Sequence, residues 1–433
     1  MLYYSLNHNA PRVSFAEAAI SGQAPDKGLY FPRSIPELPN GFIENLKNYS
    51  KEEIGYTVMK PFIGEAIPDE ILHTIIAETV NFNFPLIRIN QQIASLELFH
   101  GPTLAFKDVG ARFMSRCLSY LNRNNKKEIT VLVATSGDTG GAVANGFLGV
   151  EGVNVIILYP SGKVSPIQEL QLTTLGKNIT ALEINGTFDD CQSIVKQAFT
   201  DQDIAQKVHL TSANSINVAR WLPQQLYYFY AYQQWQEKEA PVISVPSGNF
   251  GNICAGVVAF KSGLPVKQFI AACNANNIVP NYFETGVYQP GQAIATISNA
   301  MDVGNPSNFI RIRELFNQQF SELKNKMCSV SVNDVITKQT IRDVYQQHNY
   351  ILDPHGAVAY NALENYLKEH PSDKGFILET AHPVKFPDTV ENVIRKKIPV
   401  PGAVEYLFNK TKQSILMPAS FTSFKEWIIT GKF

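Results

Sequence analysis

The sequence has little charge, few cysteines and no long apolar run. Charged residues make up 17% of its 433 residues, below the ~25% typical of globular proteins. The 37 Lys and Arg face 38 Asp and Glu, which gives a net charge of −1. Nucleic acids and anionic membrane surfaces attract proteins with a basic excess, and this chain has none. We therefore expect no nucleic-acid partner and no membrane partner.

The apolar stretches are too short for a membrane span. Residues 155–158 and 254–260 form runs far below the ~18 residues that a span requires. The first ten residues lack the charged-then-apolar pattern of a secretion signal and the Arg-rich, acid-poor pattern of a transit peptide. With hydrophobic residues at 45%, the composition favours a compact, enzyme-like chain over disorder.

The five cysteines form an odd set without C-x-x-C spacing: Cys117, Cys191, Cys254, Cys273 and Cys328. A disulfide framework or a zinc site is therefore disfavoured, and free thiols in a reducing compartment are expected. We predict a cytoplasmic protein that binds no metal.

Apolar, β-branched runs alternate with helical segments from about residue 129 onward. Strands are predicted at residues 129–135, 154–159, 179–184, 208–210, 242–245, 267–272 and 375–378. This alternation predicts an α/β fold with parallel sheets, whose ligands bind at the carboxyl ends of the strands. Earlier in the chain, the Pro-punctuated stretch from Phe31-Pro32 to Leu38-Pro39-Asn40 predicts turns rather than strands. Helices are expected around residues 52–59 and 68–79.

A lysine with apolar neighbours lies in residues 100–110. Lys107 follows Leu104, Ala105 and Phe106 and precedes Asp108. A partly desolvated lysine can lose its proton and attack a carbonyl carbon. A solvated lysine at the start of a helix is the alternative, since lysine is rarely buried. This segment alone does not decide between the two.

A first glycine-containing turn follows the predicted strand 129–135. Residues 134–141 read Ala-Thr-Ser-Gly-Asp-Thr-Gly-Gly. Small residues let the backbone approach a ligand, and a helix N-terminus favours an anion. Ser136 and Thr139 add hydroxyl donors. An ordinary turn with Asp138 as helix cap is the alternative.

A second turn, Pro-Ser-Gly-Asn-Phe-Gly-Asn at residues 246–252, follows the predicted strand 242–245. Gly248 and Gly251 permit a tight loop whose N–H groups can bind a phosphate. The turn is neither G-x-G-x-x-G with a following acidic residue nor a Walker A sequence. The terminal phosphate of a small cofactor therefore fits better than a dinucleotide.

A third polar segment, Ala-Asn-Ser-Ile-Asn-Val-Ala-Arg at residues 213–220, opens a predicted helix. Asn217 and Arg220 are three residues apart and would share a helix face. Together with Ser215 they would suit a second oxyanion, such as a substrate phosphate. Capping by Asn214 or Ser215, with a surface arginine, is the alternative.

Taken together and in order, these segments resemble those of the threonine synthases, which are pyridoxal-phosphate enzymes. The resemblance is to the long, bacterial and fungal type. It is carried by Phe-Lys107-Asp, Ser-Gly-Asp-Thr-Gly, Asn-Ser-Ile-Asn-Val-Ala-Arg, Ser-Gly-Asn-Phe-Gly-Asn and Thr380-Ala-His-Pro-Val-Lys-Phe. Val13-Ser-Phe-Ala-Glu-Ala and Gly28-Leu-Tyr-Phe-Pro extend it toward the N-terminus.

The resemblance implies a two-lobed α/β fold of type II pyridoxal-phosphate enzymes, with parallel or mixed sheets flanked by helices. An N-terminal α+β domain would cover residues 1–95, and the cofactor-binding catalytic region residues 96–433. A small lobe, approximately residues 110–200, would be inserted in the large lobe. We expect the strand at 129–135 in the small lobe and the strands from residue 208 onward in the large lobe.

The resemblance also implies roles for the matched residues. Lys107 would form the Schiff base with pyridoxal 5′-phosphate, and Thr380 would offer its hydroxyl to the pyridine nitrogen. Asp138, which is Asn in many relatives, would lie near the cofactor's 3′ oxygen, although a carboxylate donates only when protonated. The cofactor phosphate would be held by Gly248, Asn249, Phe250, Gly251 and Asn252. The carboxylate and phosphate of O-phosphohomoserine would be held by Ser136, Thr139, Ser215, Asn217 and Arg220.

The implied reaction converts O-phosphohomoserine and water to L-threonine and phosphate, as a lyase of threonine biosynthesis. Two alternatives stay open. A dehydratase or another β-replacement enzyme would not need the polar residues at 215–220 for a second phosphate. A catalytically silent ligand-binding homologue would carry no cofactor on Lys107. We expect a monomer or a weak dimer.

Overall fold

The computed structural model describes residues 1–124 and 127–431. The strands of these residues are β1 Leu2–Ser5, β2 Val13–Ser14, β3 Tyr30–Pro32, β4 Leu86–Arg88, β5 Ile93–Glu97, β6 Ile129–Ala134, β7 Val153–Pro160, β8 Ile179–Asn185, β9 His209–Ser212, β10 Val242–Pro246, β11 Gln268–Cys273, β12 Met327–Ser331, β13 Gly375–Glu379 and β14 Ile415–Pro418. Each of the seven predicted strands is observed with both ends within two residues of the prediction.

Helices separate most of these strands. They are α1 Phe15–Ser21, α2 Lys51–Ile63, α3 Asp69–Thr79, α4 Lys107–Asn122, α5 Asp138–Phe147, α6 Pro166–Thr173, α7 Phe188–Ala198, α8 Gln202–Lys207, α9 Val218–Trp221, α10 Leu226–Gln234, α11 Gly251–Lys261, α12 Ile278–Thr285, α13 Phe309–Leu315, α14 Phe320–Lys326, α15 Asp334–His348, α16 Pro354–Glu369, α17 Pro387–Ile394, α18 Gly402–Glu405 and α19 Phe421–Ile429.

The N-terminal sheet is antiparallel, with β1 between β2 and β3. The prediction of turns across residues 31–40 is wrong at its start, because Tyr30–Pro32 forms β3 and Pro32 pairs with Tyr3, whereas residues 33–40 lie outside the strands. Proline cannot donate to a ladder, but β3 is an edge strand whose outer side needs no donor. The helices α2 and α3 then cover the two predicted helical stretches.

The largest sheet has six strands in the order β12-β11-β10-β13-β5-β4, parallel except for β4 against β5. The central strands β10 and β13 are buried along their whole length. Continuous apolar sequence suits a parallel strand that is covered on both faces. At their carboxyl ends, β10 leads into the turn at residues 246–252, and β13 leads into Thr380.

A five-stranded parallel sheet has the order β14-β8-β7-β6-β9. The expectation that the strand near residue 208 belongs to the large lobe is wrong, because β9 pairs with β6. The crossover through α8 delivers β9 to the free side of β6, as a parallel pair requires. The same expectation is wrong for the C-terminal strand β14, which joins this sheet as the parallel neighbour of β8.

One apolar core connects the three sheets. It includes Tyr3 of the N-terminal sheet, Val131 of the five-stranded sheet and Phe269 and Phe376 of the six-stranded sheet. The boundary at residue 95 stays a prediction. Among the described residues, no helix combines the length and the apolar character needed to cross a bilayer. Those residues also contain no cluster of three His, Cys, Asp or Glu side chains arranged for a metal ion.

Candidate active site

A cavity of about 160 Å³ lies where the carboxyl ends of the two larger sheets face each other. Eleven of the thirteen predicted site residues line it, including Lys107, Arg220 and Thr380. Asp138 and Asn217 do not line it. Sequence positions separated by more than 270 residues therefore meet in one space, as expected for the strand ends of α/β sheets.

Backbone contacts fix the position of Lys107, the first residue of α4. The N–H of Phe106 donates to the carbonyl oxygen of Thr380 over 2.9 Å, and the N–H of His382 donates to that of Leu104 over 3.0 Å. The hydroxyl of Tyr227 donates to the carbonyl oxygen of Phe106. These bonds hold the segment before Lys107 against the segment that follows β13.

The amine of Lys107 faces the cavity from within the protein. Burial lowers the pKa of Lys107 from 10.5 to about 8, while the charge of Asp138 raises it and those of Lys385 and Arg220 lower it. A large fraction of this amine is uncharged just above neutral pH. An uncharged amine has the lone pair that attack on a carbonyl carbon requires.

The turn at residues 248–252 forms a cradle with free donors. Phe250 adopts a left-handed conformation with φ of 62°, and α11 begins at the next residue. The first N–H groups of a helix have no partner within it, and they attract an anion. A Cβ at Gly248 would lie 2.6 Å from the Cα of Met301, so the backbone there leaves no room for a side chain.

Asn252 supplies a further donor at this cradle. Its Nδ2 is buried and finds no hydrogen-bond partner within residues 1–124 and 127–431, while the hydroxyl of Tyr228 donates to its Oδ1 over 3.0 Å. A buried unpaired donor costs free energy unless a ligand accepts from it. The cradle therefore fits an anionic group such as the phosphate of pyridoxal phosphate.

Asp138 is paired with a residue that the sequence analysis did not single out. Its Oδ1 lies 2.7 Å from the Nζ of Lys385 and accepts from the Nε2 of Gln168 over 2.9 Å. The nearby ammonium groups of Lys385 and Lys107 hold the pKa of the Asp138 carboxyl well below its usual range, against the effect of burial. Lys385 belongs to the motif that begins at Thr380, and this motif was the sequence signal that could have identified it.

Asn217 does not reach the cavity, and the inference of a helix face shared with Arg220 is wrong. Asn217 is the residue before α9, and its Oδ1 accepts from the N–H of Ala219 over 2.9 Å. Its Nδ2 donates to the carbonyl oxygen of Ala19 over 2.8 Å. Helical spacing does not apply at a capping residue, whose backbone is extended.

Arg220 and Ser215 also line the cavity, and Ser215 lies beside Gly251 of the cradle. Arg220 donates from Nε to the carbonyl oxygen of Ala213 over 2.7 Å and from Nη1 to that of Lys107 over 3.0 Å. Burial lowers the pKa of Arg220 to about 10, so it stays cationic at neutral pH. The Oγ of Ser215 accepts from the Nδ2 of Asn308 over 2.9 Å.

Sequence reasoning missed several residues around the cavity. His355 lines it, with Nδ1 2.8 Å from Asp353 Oδ1 and with Nε2 accepting the N–H of Ala300 over 3.2 Å. Phe188 and Gln192 of α7 line its other side. No sequence signal marked the helix residues, because one polar or aromatic residue per helix turn is ordinary.

Comparisons with known proteins agree with this geometry. A family model for pyridoxal-phosphate dependent enzymes matches residues 83–378, and models for the threonine synthase N terminus and C-terminal part match residues 2–80 and 356–428. The chain is 43% identical to the threonine synthase of Serratia marcescens over 431 residues, which covers 99% of each chain.

Solved structures show the same similarity. The crystal structure of threonine synthase from Escherichia coli matches with a TM-score of 0.92 and 40% identity, over 100% of both chains. That of pyridoxal-phosphate-bound threonine synthase from Brucella melitensis matches with a TM-score of 0.92 and 33% identity, over 99% of both. The chain belongs to the threonine synthase family.

Membership in this family confirms the predictions of the fold class, the family, the threonine synthase function and the cofactor, pyridoxal 5′-phosphate. The chain is thus a pyridoxal-phosphate-dependent enzyme that acts on a small amino-acid substrate. The roles of the individual site residues stay predictions. What the geometry adds is which of them share the cavity and which, like Asn217, are engaged elsewhere.

Proposed function

We propose that this chain converts O-phosphohomoserine and water to L-threonine and inorganic phosphate, with Lys107 as the cofactor-bearing residue. One observation carries the proposal. The desolvated amine of Lys107 lies in the same cavity as the anion cradle at residues 248–252 and the guanidinium of Arg220. An anion cradle and a buried guanidinium in one cavity suit a phosphorylated cofactor and a phosphorylated substrate.

When bound, pyridoxal phosphate supplies the electron sink that stabilises negative charge on the substrate carbon. Residues 248–252 would hold its phosphate, and Thr380 would offer its hydroxyl to the pyridine nitrogen. A hydroxyl partner, unlike a carboxylate, leaves that nitrogen largely neutral. The backbone bond between Phe106 and Thr380 fixes Lys107 and this hydroxyl relative to each other.

Lys107 then acts as the general base. With a pKa lowered to about 8 by burial, its amine would take a proton from the substrate's Cα near neutral pH, pass it to a carbon of the electron sink, and then be free to take a proton from Cβ. Its protonated form returns protons as water adds at Cβ. No other amine lines the cavity among the described residues, so one group serves both proton transfers.

Arg220, with Ser215, Ser136 and Thr139, holds the anionic ends of the substrate. The buried guanidinium of Arg220 stabilises the charge that grows on the γ-phosphate as its bond to Cγ breaks. Because Nε and Nη1 of Arg220 already bond to backbone carbonyl oxygens, the group is fixed before the substrate arrives. Preorganised charge of this kind needs no rearrangement during the reaction.

The deciding experiment supplies O-phosphohomoserine to the purified, cofactor-loaded protein and measures phosphate and amino-acid products. Stoichiometric phosphate and L-threonine support the proposal, and conversion of Lys107→Ala protein should be abolished. Ammonia and a 2-oxo acid from serine or threonine, without phosphate release from O-phosphohomoserine, would assign a dehydratase instead. Colourless protein that stays colourless with added cofactor would assign a silent binding homologue.

We also propose that the chain works in the cytoplasm as a monomer or weak dimer, without nucleic acid or membrane. All five cysteines are free, and four of them are buried. Free thiols persist in a reducing compartment. Sedimentation of the purified protein tests the oligomeric state, and fractionation of cells that express it tests the location.

A further inference from the structure

A buried ion pair lies beside Lys107 and outside the cavity lining. The side chain of Lys385 is fully buried and that of Asp138 is 5% exposed, with 2.7 Å between Nζ and Oδ1. Lys385 also donates to the carbonyl oxygen of Thr103 over 2.9 Å, and Gln168 donates to Asp138 Oδ1 over 2.9 Å. Both partners are therefore held by further hydrogen bonds.

Three elements bring charge to the amine of Lys107. Asp138 at the start of α5 attracts a proton to it, whereas Lys385 and Arg220 repel one. Asp108, the next residue of α4, accepts from the N–H and hydroxyl of Thr103 over 2.9 and 2.5 Å. From α16, His355 faces the same cavity. The Asp138 carboxylate is thus the strongest influence that favours an ammonium at Lys107.

A buried carboxylate does not remain without a partner. Leaving it unpaired in a low dielectric costs several kcal/mol, so it pairs with the nearest cation. Lys107 and Lys385 compete for this role at Asp138. If Lys107 took it, its nitrogen would hold a third proton and lose the lone pair that bonds to carbon.

We propose that Lys385 is a positioning residue that engages the Asp138 carboxylate and thereby keeps the Lys107 amine uncharged for bonding to a carbonyl carbon. In that step a C=N bond forms, the C=O bond breaks and the oxygen leaves as water. The inference rests on the proposed function of Lys107. A role of Lys385 in folding alone is the alternative, and it predicts no change at Lys107.

The test is a pH titration of the visible absorbance of the cofactor-loaded protein, which reports the protonation of the nitrogen that Lys107 contributes. Removing the charge with Lys385→Met should move the titration to higher pH by about 1 pH unit or more, because a nearby anion shifts a pKa by that amount. Asp138→Asn should move it to lower pH, and the double variant should fall between the two. Lys385→Arg retains the charge and should stay near the wild type.

Lys412→Met is the matched control, because it also removes a lysine from an ion pair, with Glu183 at 2.7 Å, but neither partner is among the charges that act on Lys107. If Lys385→Met titrates like the wild type and this control, the inference is overturned. If circular dichroism shows that Lys385→Met alone does not fold, the double variant Lys385→Met/Asp138→Asn is compared with Asp138→Asn. The double variant should titrate at higher pH, since it lacks the cation that repels a proton at Lys107. No change between those two proteins would also overturn it.

Borohydride fixation followed by peptide mass spectrometry separates this inference from the proposed function. Cofactor fixed on Lys107 of the wild type, combined with an unchanged titration in Lys385→Met, contradicts the inference about Lys385 alone. Absence of fixed cofactor on Lys107 contradicts the proposed function itself.

Discussion

Phe106 and Thr380, 274 positions apart in the sequence, are joined by a backbone hydrogen bond of 2.9 Å. An isolated antiparallel bridge between Ala105 and Ala381 continues this contact. The residue before Lys107 is thereby fixed to Thr380, whose hydroxyl is proposed to face the cofactor ring. Since only backbone atoms form the connection, side chains on either segment can be replaced without breaking it.

Thr380→Val should therefore keep the fold and lose only the hydroxyl. A lost hydrogen bond of about 1–1.5 kcal/mol lowers kcat about tenfold. Steady-state kinetics and the visible spectrum measure the effect, and both should change while the cofactor stays attached. Thr422→Val, at an exposed position of α19, is the control. Equal kinetics in both variants would remove Thr380 from the proposed site.

Gly248→Ala should weaken cofactor binding. The added Cβ would lie 2.6 Å from the Cα of Met301, and backbone cannot yield as a flexible side chain does. Overpacking of about 1–3 kcal/mol corresponds to a Kd for pyridoxal phosphate raised roughly 5- to 150-fold. Gly402→Ala is the control, because nothing lies within 4 Å of the added atom there. Equilibrium dialysis of the two variants decides the outcome.

Asn217→Ala should reduce stability rather than substrate affinity. The side chain caps α9 and donates to the carbonyl oxygen of Ala19, so its loss should cost about 1–2 kcal/mol of unfolding free energy. Urea unfolding measures this cost. The KM for O-phosphohomoserine should stay near that of the wild type. If the KM rises as much in Asn217→Ala as in Ser215→Ala, Asn217 contributes to substrate binding and this prediction is wrong.

The strands and glycine turns were predictable because each depends on local sequence. A β-branched run such as 129–135 forms a strand wherever a sheet covers it, and a glycine turn after it marks a ligand edge. The family resemblance then supplied the order of the turns and the cofactor, and so the residues to look for at the cavity.

Pairing across long sequence distances was not predictable. Neither the Asp138–Lys385 ion pair nor the partner strand of β9 follows from local pattern, since both depend on which elements the tertiary fold brings together. The prediction for Asn217 was wrong for another reason. A helix boundary that shifts by one residue turns a residue on a helix face into the residue that caps the helix.

Arg311 lies outside the sequence motifs. It shows how much the site depends on contacts between residues that are far apart in the sequence. Its buried guanidinium donates to the carbonyl oxygens of Ser215, Ile216 and Tyr30 over 2.9, 2.6 and 3.0 Å. Arg311→Met would leave these acceptors unpaired, and we expect a loss of at least about 3 kcal/mol of unfolding free energy. Arg342→Met, at an exposed position, should change it by less than about 0.5 kcal/mol. Urea unfolding compares the two.

The pKa of Lys107 predicts how stability changes with pH in the cofactor-free protein. Burial lowers this pKa to about 8 in the folded state, whereas an unfolded lysine titrates near 10.4. Between these values the unfolded chain binds one more proton at this position, so the folded state gains stability as pH rises through that window. Below pH 8 the group contributes no slope.

Lys107→Met removes this titration and serves as the reference. The difference in unfolding free energy, wild type minus variant, should be flat below pH 7 and should increase from about pH 8 to pH 10, as measured by urea unfolding at several pH values. Other lysines and tyrosines titrate equally in both proteins and cancel in the difference. A difference that stays constant across this range would mean that the Lys107 amine is as well solvated in the folded state as in the unfolded chain, and its role as an uncharged nucleophile near neutral pH would be untenable.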